Sequence, residues 1–336
     1  MRIDKATIGG KSTFASGMFF GIAVSSALAV GTISGAGSAN ASCVSIGGFS
    51  LGSGCYSTPT SIAVGLGKAT TAVGYGLFNI AIGVGDNAYA YSEGTLNLAW
   101  AGGTSAATTA SGTLNVGYAG GTNAYASSVG NLNAAIQQGN NTAPYSSGAY
   151  SGDKYGTGGN TANVAVLLGG DSYVVAGSPG DEDPDFGPGF GNIAVSLGRG
   201  SGNIVRALGN LNSAVNVGIG QSGDNFVQSL GVLNNATNIG GSGNTVTATG
   251  GKGGLTKPGL NVAFTLGGSG NKVSAGPGPG AIAGAVGGSG KAVSQAGFGI
   301  NVKGPHAAAA VSSRTQIRES NPSASSTGRR GSQAGH

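Results

Sequence analysis

Charged side chains are what this sequence has least of: Asp, Glu, Lys and Arg together make up 8% of it. Histidine and cysteine occur twice each, tryptophan once and proline only 10 times in 336 residues. Each shortage excludes something. Disordered chains combine high charge with low hydrophobicity, whereas 39% of the residues here are hydrophobic, so a packed structure is expected. Proline this scarce, with no Gly-X-Y period, rules out a collagen-type helix. The histidines are His306 and the terminal His336, and no HExxH, P-loop, Cys-His or Ser-nucleophile motif occurs. With those arrangements missing, the sequence gives no reason to expect an enzyme.

The net charge of +5 comes from the two ends. Arg2, Lys5 and Lys11 lie near the start, and Arg314, Arg318, Arg329 and Arg330 lie near the finish. Between Ser42 and Val311 the nine basic residues are balanced by nine acidic ones. A nucleic-acid-binding face needs clustered Lys and Arg. None is present, so no nucleic-acid partner is expected.

What the chain has in quantity is glycine, 70 residues of it. Glycine costs about 1 kcal/mol relative to Ala at an interior helix position, so strands and tight turns are favoured. The glycines are also periodic. SIAVGLGKATTAVGYG begins at Ser61, and copies follow every 18 residues at Asn79, Asn97, Asn115 and Asn133. The first column reads Ser, Asn, Asn, Asn, Asn, the third Ala, Ala, Ala, Gly, Ala, and the sixteenth is Gly at 76, 94, 112, 130 and 148. Strict register of this kind marks a repeat protein.

Within the copy at Asn79, two short alternating segments read as strands, Asn79–Ile82 and Ala88–Tyr91. Val84-Gly85-Asp86-Asn87 and Ser92-Glu93-Gly94-Thr95 read as turns. Alternation puts small residues (Asn79, Ala81) on one face and large ones (Ile80, Ile82) on the other. The pattern predicts an all-β chain, a parallel β-solenoid of about 18–22 residues per coil whose stacked coils share one core. Either face could point inward. The uniform Ala of the third column tips the reading toward small residues inside, which leaves an apolar outer face larger than monomers usually expose and suited to self-association. The Asn column fits either a buried amide ladder or a turn.

After Ala149 the register loosens, with copies starting at Asn163, Asn192, Asn212, Asn234, Asn261 and Ala281. A second signature joins them as GSGNIV at Gly200, SGDNFV at Ser222, GSGNTV at Gly241, GSGNKV at Gly268 and GSGKAV at Gly288. Residues 61–148 thus read as a regular solenoid and 149–311 as its continuation with insertions. Residues 312–336 are polar and aperiodic, as expected of a disordered basic tail.

Residues 1–41 read as a secretory signal peptide: a basic start, a weakly apolar run from Phe14 to Ile33, then Ala39-Asn40-Ala41 as a cleavage site. A retained anchor is the alternative. Export, to the cell surface or outside it, suits Cys43 and Cys55, which read as one disulfide in a cap over 42–60. The insert from Gly177 to Phe190 carries Asp181, Glu182, Asp183 and Asp185. Four carboxylates could surround Ca²⁺, but Pro184 and the spacing favour a plain solvated loop. Without Ca²⁺ there, the sequence implies no cofactor. Tyr89, Tyr91, Tyr118 and Tyr125 are candidates for a carbohydrate-stacking stripe, with packing on one another the favoured alternative. An insert-borne polysaccharide site around Asp153, Asp171 and Asp181–Asp185 is a second functional reading. Thr70/Thr71 and Thr108/Thr109 hint at the Thr ladder of an ice- or mineral-binding face.

The copies SIAVGLGKATTAVGYG and NIAIGVGDNAYAYSEG resemble the head repeats of trimeric autotransporter adhesins, whose units read S-x-A-I-G-x-x-A-x-A-x-G. The resemblance covers Ser61 to Gly148 and implies a left-handed β-roll, trimeric on a bacterial surface and binding host matrix or other cells. The 18-residue period is longer than in those heads, and no heptad pattern follows. Gly- and Asn-rich exported actinobacterial proteins are similar in composition. The function expected is an exported, non-enzymatic adhesion or structural solenoid whose partners are further copies, host matrix, a glycan or a cell-envelope component.

Overall fold

The computed structural model describes residues 42–142, 147–152, 159–177, 188–198, 200–218, 223–250 and 259–305. The leader and the tail lie outside them. The described residues form 26 strands in two sheets, here sheet I with 14 strands and sheet II with 12. The chain begins with β1 (Cys43–Ile46) and β2 (Phe49–Leu51), an antiparallel hairpin, and β3 (Cys55–Ser57) starts sheet II. From there the strands alternate between sheets. β4 (Ile62–Leu66) lies in sheet I, β5 (Thr71–Leu77) in sheet II, β6 (Ile80–Val84) in sheet I and β7 (Tyr89–Thr95) in sheet II. Each strand pairs in parallel with the one a full coil later, Ile62 opposite Ile80 and Thr71 opposite Tyr89. The chain is a parallel β-solenoid, as its period predicts.

The segment Ser92–Thr95, expected as a turn, is strand instead: β7 runs on through Glu93 and Gly94 to Thr95. Gly94 makes the extension workable. Its φ is +105°, and a Cβ there would overlap the carbonyl oxygen of Gly112 in the next coil. The corner falls one step later, at Leu96.

Small residues point inward. Ala63, Ala81, Ala99 and Ala135 in sheet I, and Ala72, Ala90, Ala110 and Ala126 in sheet II, are fully buried. Later coils keep Ala in sheet I (Ala165, Ala194, Ala214, Ala236, Ala263) but set Val opposite in sheet II (Val174, Val205, Val227, Val246, Val273). One end of this core is closed by the disulfide. Cys43 and Cys55, with Cα atoms 5.4 Å apart, join β1 to β3 across the two sheets. Gly65 gives the bond room, since a Cβ there would lie 2.6 Å from the Cys43 sulfur.

The Asn column is a buried ladder. Asn79, Asn97, Asn115, Asn133, Asn163, Asn192, Asn212, Asn234 and Asn261 are at most 2% exposed. In each coil the backbone N–H of the Asn donates to the Oδ1 of the previous one, as in Asn115 to Asn97 (2.8 Å) and Asn163 to Asn133 (2.9 Å). Ser61 starts the column by accepting from Asn79 N–H, and Ala281 N–H ends it on Asn261. Asn203, Asn225, Asn244 and Asn271 build a second ladder at the opposite corner, which ends on the backbone N–H of Lys291. This is the structural content of the GSGN signature.

The residue before each first-ladder Asn turns the corner in a left-handed conformation. Phe78, Leu96, Leu114, Leu132, Leu211, Leu233 and Leu260 have φ between 46° and 58°. That region costs a residue bearing a Cβ about 1–2 kcal/mol. What holds it there is the amide that follows. Asn115 Nδ2 donates to Asn97 Oδ1, Ser111 O and Gly130 O at 2.7–3.1 Å, while its Oδ1 accepts from Asn133 N–H at 3.0 Å.

Two substitutions test these assignments in opposite directions. Asn115→Ala leaves several buried groups without partners, each worth about 1–3 kcal/mol, so it should lower stability by roughly 3 kcal/mol or more in a denaturant titration. Thr108 Oγ1 is buried with no hydrogen-bond partner. Thr108→Val keeps the shape and removes that hydroxyl, and should be neutral or stabilising by up to about 1 kcal/mol.

Candidate functional site

With the interior filled by Ala, Val, amides and small hydroxyls, the described residues offer their larger side chains on the two outer faces. On sheet I the outward positions form three columns running along the solenoid. One holds Ile62, Ile80, Leu98, Val116, Ala134, Val164 and Ile193 in register, the next Val64, Ile82, Trp100, Tyr118, Ile136, Val166 and Val195. No outward position of sheet I from Ile62 to Val286 carries an ionisable group other than the Tyr118 phenol. Where a large ring occurs it lies over a glycine. Trp100 covers Gly102, Tyr118 covers Gly120 and Phe264 covers Gly284, a Cβ at each meeting the ring at 3.4 Å or closer. The rings therefore lie along the sheet and the face stays level. Beside Trp100 and Tyr118 a shallow groove of about 520 Å³ runs over Gly102 and Gly120 to Gln138 and Asn140.

Sheet II is different. Its first coils carry Tyr56, Tyr75, Tyr89 and Tyr91 on the outer face, together with Glu93. Tyr56, Tyr75 and Tyr89 are 47%, 42% and 38% exposed. The rings of Tyr56 and Tyr75 are 4.9 Å apart, and those of Tyr89 and Tyr91 are parallel to within 4° at 6.4 Å. The Tyr91 hydroxyl donates to Glu93 Oε2 at 2.8 Å. Burial, then this hydrogen bond, pushes the Tyr91 phenol up to about 12. The Tyr75 phenol is raised as well, first by the neighbouring Tyr56 phenol. Farther along, Tyr125, Tyr150 and Tyr173 pack with tilted rings at 5.3 and 5.0 Å, with the Arg206 guanidinium 5.8 Å from the Tyr173 ring. Tyr150 is only 4% exposed and packs with Val175 and Leu208 in a second small core.

The expected tyrosine stripe is thus divided. Tyr89 and Tyr91 stay together on sheet II, Tyr125 belongs to the Tyr150 cluster, and Tyr118 is on sheet I beside Trp100, 6.0 Å between centroids. Tyr56 and Tyr75 complete the sheet II group. Sequence reasoning missed both because they occupy different columns, and only the parallel register brings them together. The Thr ladder does not form: Thr70 and Thr108 point inward and are buried, while Thr71 and Thr109 point out in different columns. Asp181, Glu182, Asp183 and Asp185, with Asp153, lie outside the described residues. Asp171 caps a turn by accepting from the backbone N–H and hydroxyl of Thr142. Among the described residues no three His, Cys, Asp or Glu side chains come together.

Comparison with family models, with curated proteins and with solved structures finds no match to the chain.

The raised Tyr91 phenol has a measurable consequence. Its neutral form is favoured by folding, so its contribution is complete below pH 10 and fades as pH rises toward 12. Phenolate absorbance should show a last step near pH 12. Tyr91→Phe should remove that step and flatten the stability loss between those limits.

Proposed function

We propose that this protein is an exported, non-enzymatic β-solenoid that acts as a cell-surface or secreted adhesion or structural element and associates through the outer face of sheet I. The observation that carries the reading is that face itself, free of fixed charge along the parallel stack and apolar but for Gln138, Ser213, Asn235 and Thr237. Strands spaced about 4.8 Å apart and about five residues wide give it roughly 55 by 16 Å. That is roughly 900 Å², near the roughly 800 Å² each partner contributes to a standard stable interface. Monomers seldom leave an apolar area of that size to water. The half-exposed Leu96, Leu114 and Leu132 at the neighbouring corner add to the apolar surface.

Export is supported by the basic, then apolar, then Ala-x-Ala order of residues 1–41 and by the disulfide just beyond it, a bond kept in oxidising compartments. Association and export can be checked separately. Sedimentation of the chain from Ser42 onward should reveal an assembly, and Ile136→Lys with Val195→Lys should dissociate it without changing the β-sheet circular dichroism. A parent chain that stays monomeric at high concentration would remove the association. N-terminal sequencing of protein collected outside the producing cell should begin at Ser42, and retention of the intact chain inside would end the export reading.

A further inference from the structure

We propose that Tyr56, Tyr75, Tyr89, Tyr91 and Glu93 on the outer face of sheet II form a binding platform for a neutral, pyranose-based oligosaccharide. This goes beyond the association through sheet I and uses the opposite face.

The four tyrosines do not form a core. Three of them are exposed by 38% or more, unlike Tyr150 in the same sheet, which is buried by packing. Tyrosine combines an apolar ring with a polar tip, and here the two functions are arranged together. The exposed rings offer apolar surface to the C–H face of a sugar ring. The Tyr91 hydroxyl, bonded to Glu93, supplies a polar pair beside the rings, and the Tyr56 and Tyr75 rings pack 4.9 Å apart next to it. At neutral pH a tyrosine phenol is protonated, so the Tyr56, Tyr75 and Tyr89 hydroxyls can donate, while the Tyr91 oxygen, its proton given to Glu93, can accept. Glu93 offers a strong acceptor for sugar hydroxyls.

The spacing suits a chain molecule. Tyr56, Tyr75 and the Tyr89–Tyr91 pair come from three successive coils. Successive coils are about 4.8 Å apart, close to the length of one pyranose unit. The column through Tyr56 and Tyr91 is flanked by Tyr75 on one side and Tyr89 on the other, so a chain of several sugars crossing the three coils can touch all four rings. An organic cation is the competing ligand, because ring faces and a carboxylate both attract positive charge. The geometry favours the sugar. A cation cage needs rings converging on one point from several sides, whereas Tyr89 and Tyr91 are parallel to each other.

The test is calorimetric titration of the chain from Ser42 with cellohexaose, chitohexaose and choline. One of the hexasaccharides should bind. Tyr75→Ala and Tyr89→Ala should each weaken it about tenfold, the upper range for an aromatic contact, and Glu93→Gln should weaken it less. Tyr75→Phe, which keeps the ring, should fall between Tyr75→Ala and the parent. Tyr118→Ala and Ile136→Lys, on the opposite sheet, should leave binding unchanged, which separates this proposal from the self-association reading. Circular dichroism confirms that each variant is folded. The proposal is overturned if neither hexasaccharide binds, if choline alone binds, or if folded Tyr75→Ala and Tyr89→Ala bind as well as the parent.

Discussion

The two sheets are held close by small inward side chains, and the rest of the molecule follows from that closeness. Where Ala63 and Ala81 on one side meet Ala72 and Ala90 on the other, there is no room for a larger residue. Bulk is therefore pushed outward, onto faces that an ordinary domain would keep inside. A core this thin buries little apolar surface per coil, and stability comes from repetition, each coil supporting the next through a full set of backbone hydrogen bonds. The change to Val in sheet II beyond Val174 thickens the core, and amides move into the space beside it. Asn216, Asn238 and Thr265 hydrogen-bond to one another at buried positions.

The ladders solve the problem that such corners create. A chain reversing direction over two residues leaves polar backbone groups facing an apolar interior, where an unpartnered group is costly. Each Asn places one amide where it serves its own corner and the next coil's backbone together. The left-handed leucines are tolerated because that network fixes the corner more firmly than the local strain opposes it. The outcome is a scaffold with two dissimilar sides, one uncharged and mostly apolar, the other carrying tyrosine hydroxyls and a carboxylate.

Much of this architecture was legible in the residues. The 18-residue register identified the coil, the third-column alanines indicated the interior, and the cysteine pair marked the closed end. The Asn column was ambiguous because a buried amide ladder and an exposed turn both favour asparagine. The choice depends on what stacks above and below, which a single repeat does not contain. Ser92–Thr95 misled for a related reason: serine, glutamate and glycine are turn formers by composition, yet Gly94 serves here to let two coils approach. The tyrosine platform was the hardest to see. Tyr56 belongs to the cap and Tyr75 to the first full coil, and neither shares a column with Tyr89.

The spacing between ladder asparagines carries a further meaning. From Asn133 to Asn163, and on to Asn192, Asn212, Asn234 and Asn261, the separation takes values from 20 to 30 residues, yet every rung is made. The asparagines thus act as fixed joints between segments of free length. A gene built this way can lose or duplicate one unit by recombination between its own copies, and the protein simply becomes shorter or longer. It can also lengthen a corner without disturbing its neighbours. Reach and surface ornament then evolve separately from the stability of the shaft.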